Sequence, residues 1–350
     1  MHTFDPDAAA RPGSGIFGLP HGPDEAGIVL IPVPFDATTS YGGGAAEGPE
    51  AIRAASSQVD LLDPQFGPVF QAGLHMEAAP AWLAALSARA RALAQPIIER
   101  GGADPDSPEE RVALAEVDAA GARVNEHVHA RVSGLLARGK VPGLVGGDHS
   151  TPFGAIRACA EHVAARRAGG GMGLLHLDAH MDLREAYDGF TWSHASIMHN
   201  VITRVPGVGP IVQIGLRDVG GRELEFARQH ADRLHTHFDI DWARALAAGR
   251  PWTELAHAAL AQLPEHVYIS FDIDALEPAL CPGTGTPVPG GLSFNQACLI
   301  LETLRASGRR VVGFDLVEVA PGPNPAAPSI DANAGARLLY KLCGVATGSR

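Results

Sequence analysis

Gly173-Leu174-Leu175-His176-Leu177-Asp178-Ala179-His180-Met181-Asp182 runs without a break from a short apolar segment into alternating carboxylate and imidazole side chains. The apolar part, residues 173–178, has strand length and predicts a buried strand. Comparable runs occur at 27–35 (GIVLIPVPF), 141–146, 211–216, 266–272 and 310–316. Helical spacing lies between and around them, near 49–55, 80–100, 109–139, 155–166, 195–204, 222–230, 253–263, 293–306 and 333–343. Strands alternating with helices predict one α/β domain, a three-layer α/β/α arrangement around a mainly parallel sheet. The chain has no internal repeat and no linker long enough to divide it. Residues 1–26, rich in Pro, Gly and Asp, predict an arm over the surface, and residues 27–350 the α/β domain itself. The Pro-rich stretch 321–328 predicts a surface loop.

Parallel sheets bind ligands beyond the carboxyl ends of their strands. Three predicted strand ends carry ligand-type residues: Gly146-Gly147-Asp148-His149-Ser150, Asp178-Ala179-His180-Met181-Asp182 and Asp272-Ile273-Asp274. In extended chain, i and i+2 project to the same side. Asp178, His180 and Asp182 therefore project together, and so do Asp272 and Asp274. Four carboxylates then share one sheet edge with the imidazoles of His149 and His180. Such crowding is costly unless cations neutralise it. Carboxylate and imidazole without thiolate suit manganese or a related divalent ion better than a structural zinc. Six protein ligands exceed what one catalytic metal takes, so two ions sharing carboxylates fit better. Each segment alone has a plainer reading. A lone Asp-x-Asp after a strand caps or turns the chain, and Gly146-Gly147 alone is a tight turn. The conjunction of three such segments favours a metal centre.

Composition narrows the function classes. The 350 residues carry 39 Asp+Glu against 27 Lys+Arg, a formal charge of −12, which argues against a nucleic-acid binder and suits a cationic substrate. Four Cys without a C-x-x-C pair argue against a disulfide framework and a Cys-rich zinc site. No apolar run approaches bilayer-spanning length, and the N-terminus lacks the apolar core of a signal peptide. The expected setting is cytoplasmic, with no membrane partner.

The segments G-G-D-H-S, D-A-H-x-D and S-F-D-I-D-x-x-x-P resemble, in order, the metal-binding signatures of the ureohydrolase superfamily, which includes arginases and agmatinases. The resemblance runs from about Gly27 to the C-terminus. It includes Val33-Pro34-Phe35-Asp36, Gly48-Pro49-Glu50-Ala51-Ile52-Arg53, Gly285-Thr286-Pro287 and Gly313-Phe314-Asp315-Leu316-Val317-Glu318-Val319. It implies an arginase-like fold and hydrolysis of a guanidinium or amidine group to urea. It also implies two divalent ions per chain, manganese or nickel, and a trimeric or hexameric homo-oligomer. On that resemblance His149 and Asp182 ligate one ion, His180 and Asp274 the other, and Asp178 and Asp272 bridge. Two such ions lower the pKa of a bridging water, and the leaving amine then needs a proton. Asp274 is the expected first proton carrier and His194 the second. His194 stands 12 residues after Asp182, in an H-A context where the family has H-G. Glu318 matches the family's glutamate that pairs with the guanidinium, a strong planar geometry. The plainer readings are a helix-start His194 and a surface Glu318.

The loop Leu183-Arg184-Glu185-Ala186-Tyr187-Asp188-Gly189-Phe190-Thr191-Trp192-Ser193 lacks the Asn and Ser with which arginases hold an α-amino acid. Gly220 stands where the family's D-V-D ends in Asp, which leaves Asp218 as a structural residue. Arginine is therefore disfavoured. Tyr187, Phe190 and Trp192 are expected to wall the pocket or stack on a planar cation, or else to pack the loop down. His176 is expected to be buried and hydrogen-bonded, and His127 and His129 solvated. Residues 16–20 and 36–44 resemble an agmatinase-like branch that includes guanidine hydrolases. The expected substrate is a small cationic guanidino compound: guanidine, a substituted guanidine or biguanide, or agmatine. Competing readings are a formiminoglutamate or amide hydrolase, and a non-catalytic subunit of a heteromeric ureohydrolase. The intact ligand set argues against both.

Overall fold

The computed structural model describes residues 4–11, 13–166, 171–322, 324 and 327–348. Residues 1–3 and 12 of the predicted arm, 323, 325 and 326 of the Pro-rich stretch, and 349–350 lie outside them.

Among the described residues, eight strands form the sheet: β1 Ile28–Val33, β2 Leu74–Met76, β3 Val141–Gly146, β4 Met172–Leu177, β5 Val208–Leu216, β6 Leu234–Phe238, β7 His266–Asp272 and β8 Arg310–Val317. The helices are α1 Gly48–Ala55, α2 Ala81–Arg100, α3 Pro108–Ala137, α4 Phe153–Arg166, α5 Ile197–Arg204, α6 Gly221–Gln229, α7 Asp239–Ala247, α8 Trp252–Leu260, α9 Phe294–Ala306 and α10 Ile330–Thr347. The strand order is β2-β1-β3-β8-β7-β4-β5-β6, and every pairing is parallel. β2, β6 and α7 were not legible as elements in the sequence.

Strand residues alternate between two cores, which is why the runs are apolar at every position. Ile28 and Leu30 of β1 face one core with Leu175 and Leu177 of β4. Val29, Ile31 and Val33 face the other with Met172 and Leu174. Helices α1, α8, α9 and α10 contribute to the first core, and α2 to α5 to the second. The expected three-layer arrangement is therefore present.

Part of the predicted arm is not on the surface. Ile16, Phe17 and Leu19 are buried in the first core, where the Phe17 ring meets Tyr340 of α10 at 4.8 Å. Three apolar side chains in a Pro/Gly-rich stretch were enough to draw it inward. The four cysteines are free and buried. No helix among the described residues is long and apolar enough to cross a membrane.

The sheet order matters for function. β3, β8, β7 and β4 are consecutive neighbours at the centre, so the segments after them meet at one edge. Gly147 allows the exit from β3 to pass under the exit from β1. A Cβ there would lie 1.9 Å from the Phe35 carbonyl oxygen. Val33 O and Phe35 O instead accept the N–H groups of Gly147 and Asp148, each at 2.9 Å.

Candidate active site

All three strand ends close with the same local turn. Asp Oδ1 accepts the backbone N–H two residues on: Asp148 from Ser150 at 3.0 Å, Asp178 from His180 at 2.6 Å, Asp272 from Asp274 at 2.9 Å. This is the ordinary turn chemistry of Asp, and it leaves each Oδ2 free for another task. Asp148 Oδ2 accepts from Thr38 N–H and Oγ1 at 3.3 and 3.2 Å, which ties down the loop after β1. Asp178 and Asp272 instead aim Oδ2 at His149. The capping reading and the cluster reading both hold for Asp272.

His149 Nδ1 lies 3.0 Å from Asp178 Oδ2 and 3.1 Å from both Asp182 Oδ2 and Asp272 Oδ2. It is buried and makes a hydrogen bond to none of them. Beside it, His180 Nδ1 is 3.1 Å from Asp274 Oδ2 and 3.5 Å from Asp178 Oδ1. Asp178 thus faces both groups. Asp274 does not reach the cluster by strand alternation, because residues 273–275 form a single 3-10 turn. Asp182 does so through left-handed backbone, φ +55°, a conformation that costs a non-glycine residue energy.

Four or more oxygen and imidazole donors converging on a point suit divalent cations. The donors His149, His176, Asp178 and Asp182, and separately Asp178, His180 and Asp274, lie close enough together to hold an ion. His176, expected to be buried and bonded, sits 2.8 Å from Asp178 Oδ2 through Nε2 and 2.9 Å from Gln213 Nε2 through Nδ1. The crowding is electrostatically severe. Burial works against a charged His149 imidazole, yet Asp178, Asp182 and Asp272 push its pKa well above the usual value. Burial, with neighbouring Asp178, pushes Asp182 up to about 6. Burial, with Asp274 and Asp178, carries Asp272 well above the carboxylate range. Cations in place of protons relieve all of these conflicts.

A cavity of about 310 Å³ opens onto these clusters, lined by His149, His180, Asp182, Asp272, His194 and Glu318 among others. Glu318 follows β8 with φ +62° and is only 4 % exposed. Its Oε1 accepts His149 N–H at 2.9 Å, and its Oε2 is buried without a partner. Burial, with Asp272 and Asp148 nearby, raises its pKa well above the usual value. It is no surface residue. His194 is buried and its N–H donates to Thr38 Oγ1 at 3.1 Å. Its Nδ1 is 3.5 Å from Thr38 Oγ1 and its Nε2 3.5 Å from Ser40 Oγ. Burial, then the charges of His180 and His149, lowers its pKa to about 3.

Tyr187 lines the cavity, edge-on to His194 at 5.8 Å. Trp192 does not, and its expected place in the substrate pocket is corrected. Its ring packs on Phe153 at 4.8 Å and under the Arg204 guanidinium at 5.1 Å. A Cβ on Gly121 of α3 would meet Trp192 Cβ at 2.7 Å, so the side chain clamps the loop to that helix. Asp218, expected to be structural, lines the cavity. His127 and His129 are half-buried rather than solvated: His127 meets the Trp82 ring at 5.1 Å and His129 pairs with Glu161 at 2.7 Å. Sequence reasoning missed Ser40, Arg184 and Glu223 in the lining. Thr286, in the Gly285-Thr286-Pro287 segment, places its hydroxyl 3.4 Å from Asp274 Oδ2.

The sequence pattern of the arginase family matches residues 26–344. The chain belongs to the arginase family. The expectation of an amidinohydrolase stands on that membership. An N(1)-aminopropylagmatine ureohydrolase of Thermus thermophilus is 33% identical over 309 residues, 87% of each chain. Proclavaminate amidinohydrolase of Streptomyces clavuligerus is 31% identical over 331 residues, 92% of this chain and 91% of that one. The solved structure of a proclavaminate amidinohydrolase from that organism superimposes with a TM-score of 0.71 at 26% identity, covering 98% of this chain and all of the other. The agmatine ureohydrolase of Thermoplasma volcanium gives 0.69 at 25% identity, covering 93% and 92%.

Proposed function

We propose that this arginase-family chain is a dinuclear-metal amidinohydrolase. It cleaves the C–N bond of a small guanidino compound (guanidine, a substituted guanidine or biguanide, or agmatine) to urea plus ammonia or an amine. The observation that carries the reading is Glu318. A buried carboxylate oxygen without a partner lines the same cavity as two His/Asp clusters. A planar guanidinium would supply the missing donors and the compensating charge.

His149 and Asp182 would hold one ion and His180 and Asp274 the other, and Asp178 and Asp272 would serve both. The unbonded Nδ1 of His149 and the oxygen-rich surroundings fit that assignment. Manganese matches the donor set best, with nickel the competing assignment. Bound divalent ions supply the Lewis acidity that makes hydroxide available from water near neutral pH.

The protein's own groups do the rest. Glu318 Oε2 accepts from the guanidinium and sets the carbon toward the clusters. Asp274 Oδ1 is held by Ala179 N–H at 3.0 Å, so Oδ2, beside His180 Nδ1 and the Thr286 hydroxyl, is the oxygen that takes a proton and passes it to the departing nitrogen. His194, neutral and flanked by hydroxyls at both ring nitrogens, exchanges protons between the cavity and Ser40. We also assign the chain to the cytoplasm as a homotrimer or homohexamer, on the family resemblance.

The test is urea release from guanidine, alkylguanidines, a biguanide, agmatine, 4-guanidinobutanoate and arginine, with Mn²⁺ and Ni²⁺ supplied separately. Urea from at least one non-arginine substrate supports the reading. Urea from none with either metal sinks it.

A further inference from the structure

The outer wall of the cavity carries a charge the catalytic reading does not use. Among the described residues lining it, Arg184 is the only lysine or arginine, in a company of acids that suits a guanidinium. Its guanidinium lies over the Tyr187 ring at 4.7 Å. Tyr187 in turn meets the His194 ring at 5.8 Å, so the one ring contacts both the Arg184 guanidinium and the proposed proton relay.

Its one ion pair leaves it room for another partner. Glu223 Oε2 is 3.6 Å from an Arg184 guanidinium nitrogen, an attraction outside hydrogen-bond reach. Both Glu223 oxygens are already committed to backbone: Oε1 accepts Leu183 N–H at 3.0 Å and Oε2 accepts Gly220 N–H at 2.9 Å. Glu223 is therefore a post that holds the loop, with the Arg184 guanidinium beside it but not bonded to it. The guanidinium keeps donor edges, and its side chain is 42 % exposed at the cavity's rim. Stacking on a phenol ring holds the plane of the fork, which lowers the entropic cost of engaging a carboxylate through two parallel bonds.

We propose that Arg184 selects the tail of the substrate. The guanidino group enters toward Glu318, and the far end, which meets Arg184, carries a carboxylate rather than an ammonium. The preferred substrate class is thus an ω-guanidino acid. This rests on the hydrolase reading above. A guanidino amine would bring its second cation against a fixed guanidinium, a like-charge contact that disfavours the wrong partner. The opposing charge at the mouth is Asp218, which is exposed and would favour an ammonium tail. Arg184 differs in being stacked on a ring, which lowers the cost of ordering its fork on a carboxylate.

Urea release from the metal-loaded enzyme is compared for 4-guanidinobutanoate and agmatine, which share the guanidino group and nearly the same length, with tail-less guanidine as reference. The wild type is expected to favour the acid in kcat/KM by about tenfold or more, mainly through KM. Arg184→Met should remove the preference and Arg184→Glu should invert it, while Arg184→Lys keeps part of it. Raising ionic strength should weaken binding of the acid in the wild type alone, which needs no variant to fold. Equal or better use of agmatine by the wild type overturns the proposal and assigns the mouth to Asp218. An unchanged acid-to-amine ratio in Arg184→Met also overturns it. Urea from none of the three, guanidine included, fails the hydrolase reading instead.

Discussion

His149 Nε2 lies 3.0 Å from Ser270 Oγ, and Ser270 in turn donates to Asp315 Oδ1 at 3.1 Å. A hydroxyl from β7 and a carboxylate from β8 therefore orient the imidazole whose other nitrogen faces three carboxylates. Groups that fix a ligand's ring typically contribute roughly 10- to 100-fold to metal affinity. Ser270→Ala should weaken metal retention by that order in a competition titration with a chelator, with the fold intact by circular dichroism. Unchanged retention would detach Ser270 from the metal centre.

His149→Ala should abolish urea release and lower bound metal below two ions per chain by elemental analysis. Full metal content in this variant would remove His149 from the ligand set.

Chelation of the wild-type protein should lower its thermal midpoint, because the clustered carboxylates then repel without counterions. Mn²⁺ at about 100 times its dissociation constant should restore about 2.7 kcal/mol of stability. A midpoint insensitive to chelator and metal would contradict the site.

Glu318→Gln keeps the shape and leaves an amide oxygen for the His149 N–H, but it removes the charge opposite the guanidinium. Loss of about 3 kcal/mol of transition-state binding, roughly a hundredfold in kcat/KM, is expected. Near-wild-type kinetics would return Glu318 to a structural role.

Trp192→Ala removes the clamp between the loop and α3. A stability loss of about 2–3 kcal/mol by chemical denaturation is expected, with the rank order of substrates unchanged. A reordered substrate series would restore Trp192 to the pocket.

What was legible in the sequence followed the physics of each element. Six strands announced themselves because strands covered on both faces are apolar throughout. β2 is three residues long, and β6 is Leu-His-Thr-His-Phe at the sheet edge, largely half-buried, so neither made an apolar run. α7 begins at the residue after β6, with no breaker to separate them. The metal-type residues were visible because Asp-x-His and Asp-x-Asp are local patterns. Thr38 and Glu223 were not, since their roles come from bonds across 110 and 40 residues: Thr38 to Asp148, and Leu183 to Glu223. The aromatic loop shows the limit of composition, because the room for Trp192 away from the cavity comes from Gly121 in a distant helix.

The strand order has a consequence for how the molecule assembles. The bond between His149 and Glu318 spans 169 positions, and the strands that hold the two His/Asp clusters are brought together only when β3, β8, β7 and β4 have all paired. No short stretch of the nascent chain offers a complete set of donors. Pairing this remote in sequence is intrinsically slow. Ions held there would therefore act as a latch on the finished sheet and not as a seed for it. They would slow the escape of the folded chain and leave its first collapse to hydrophobic contact.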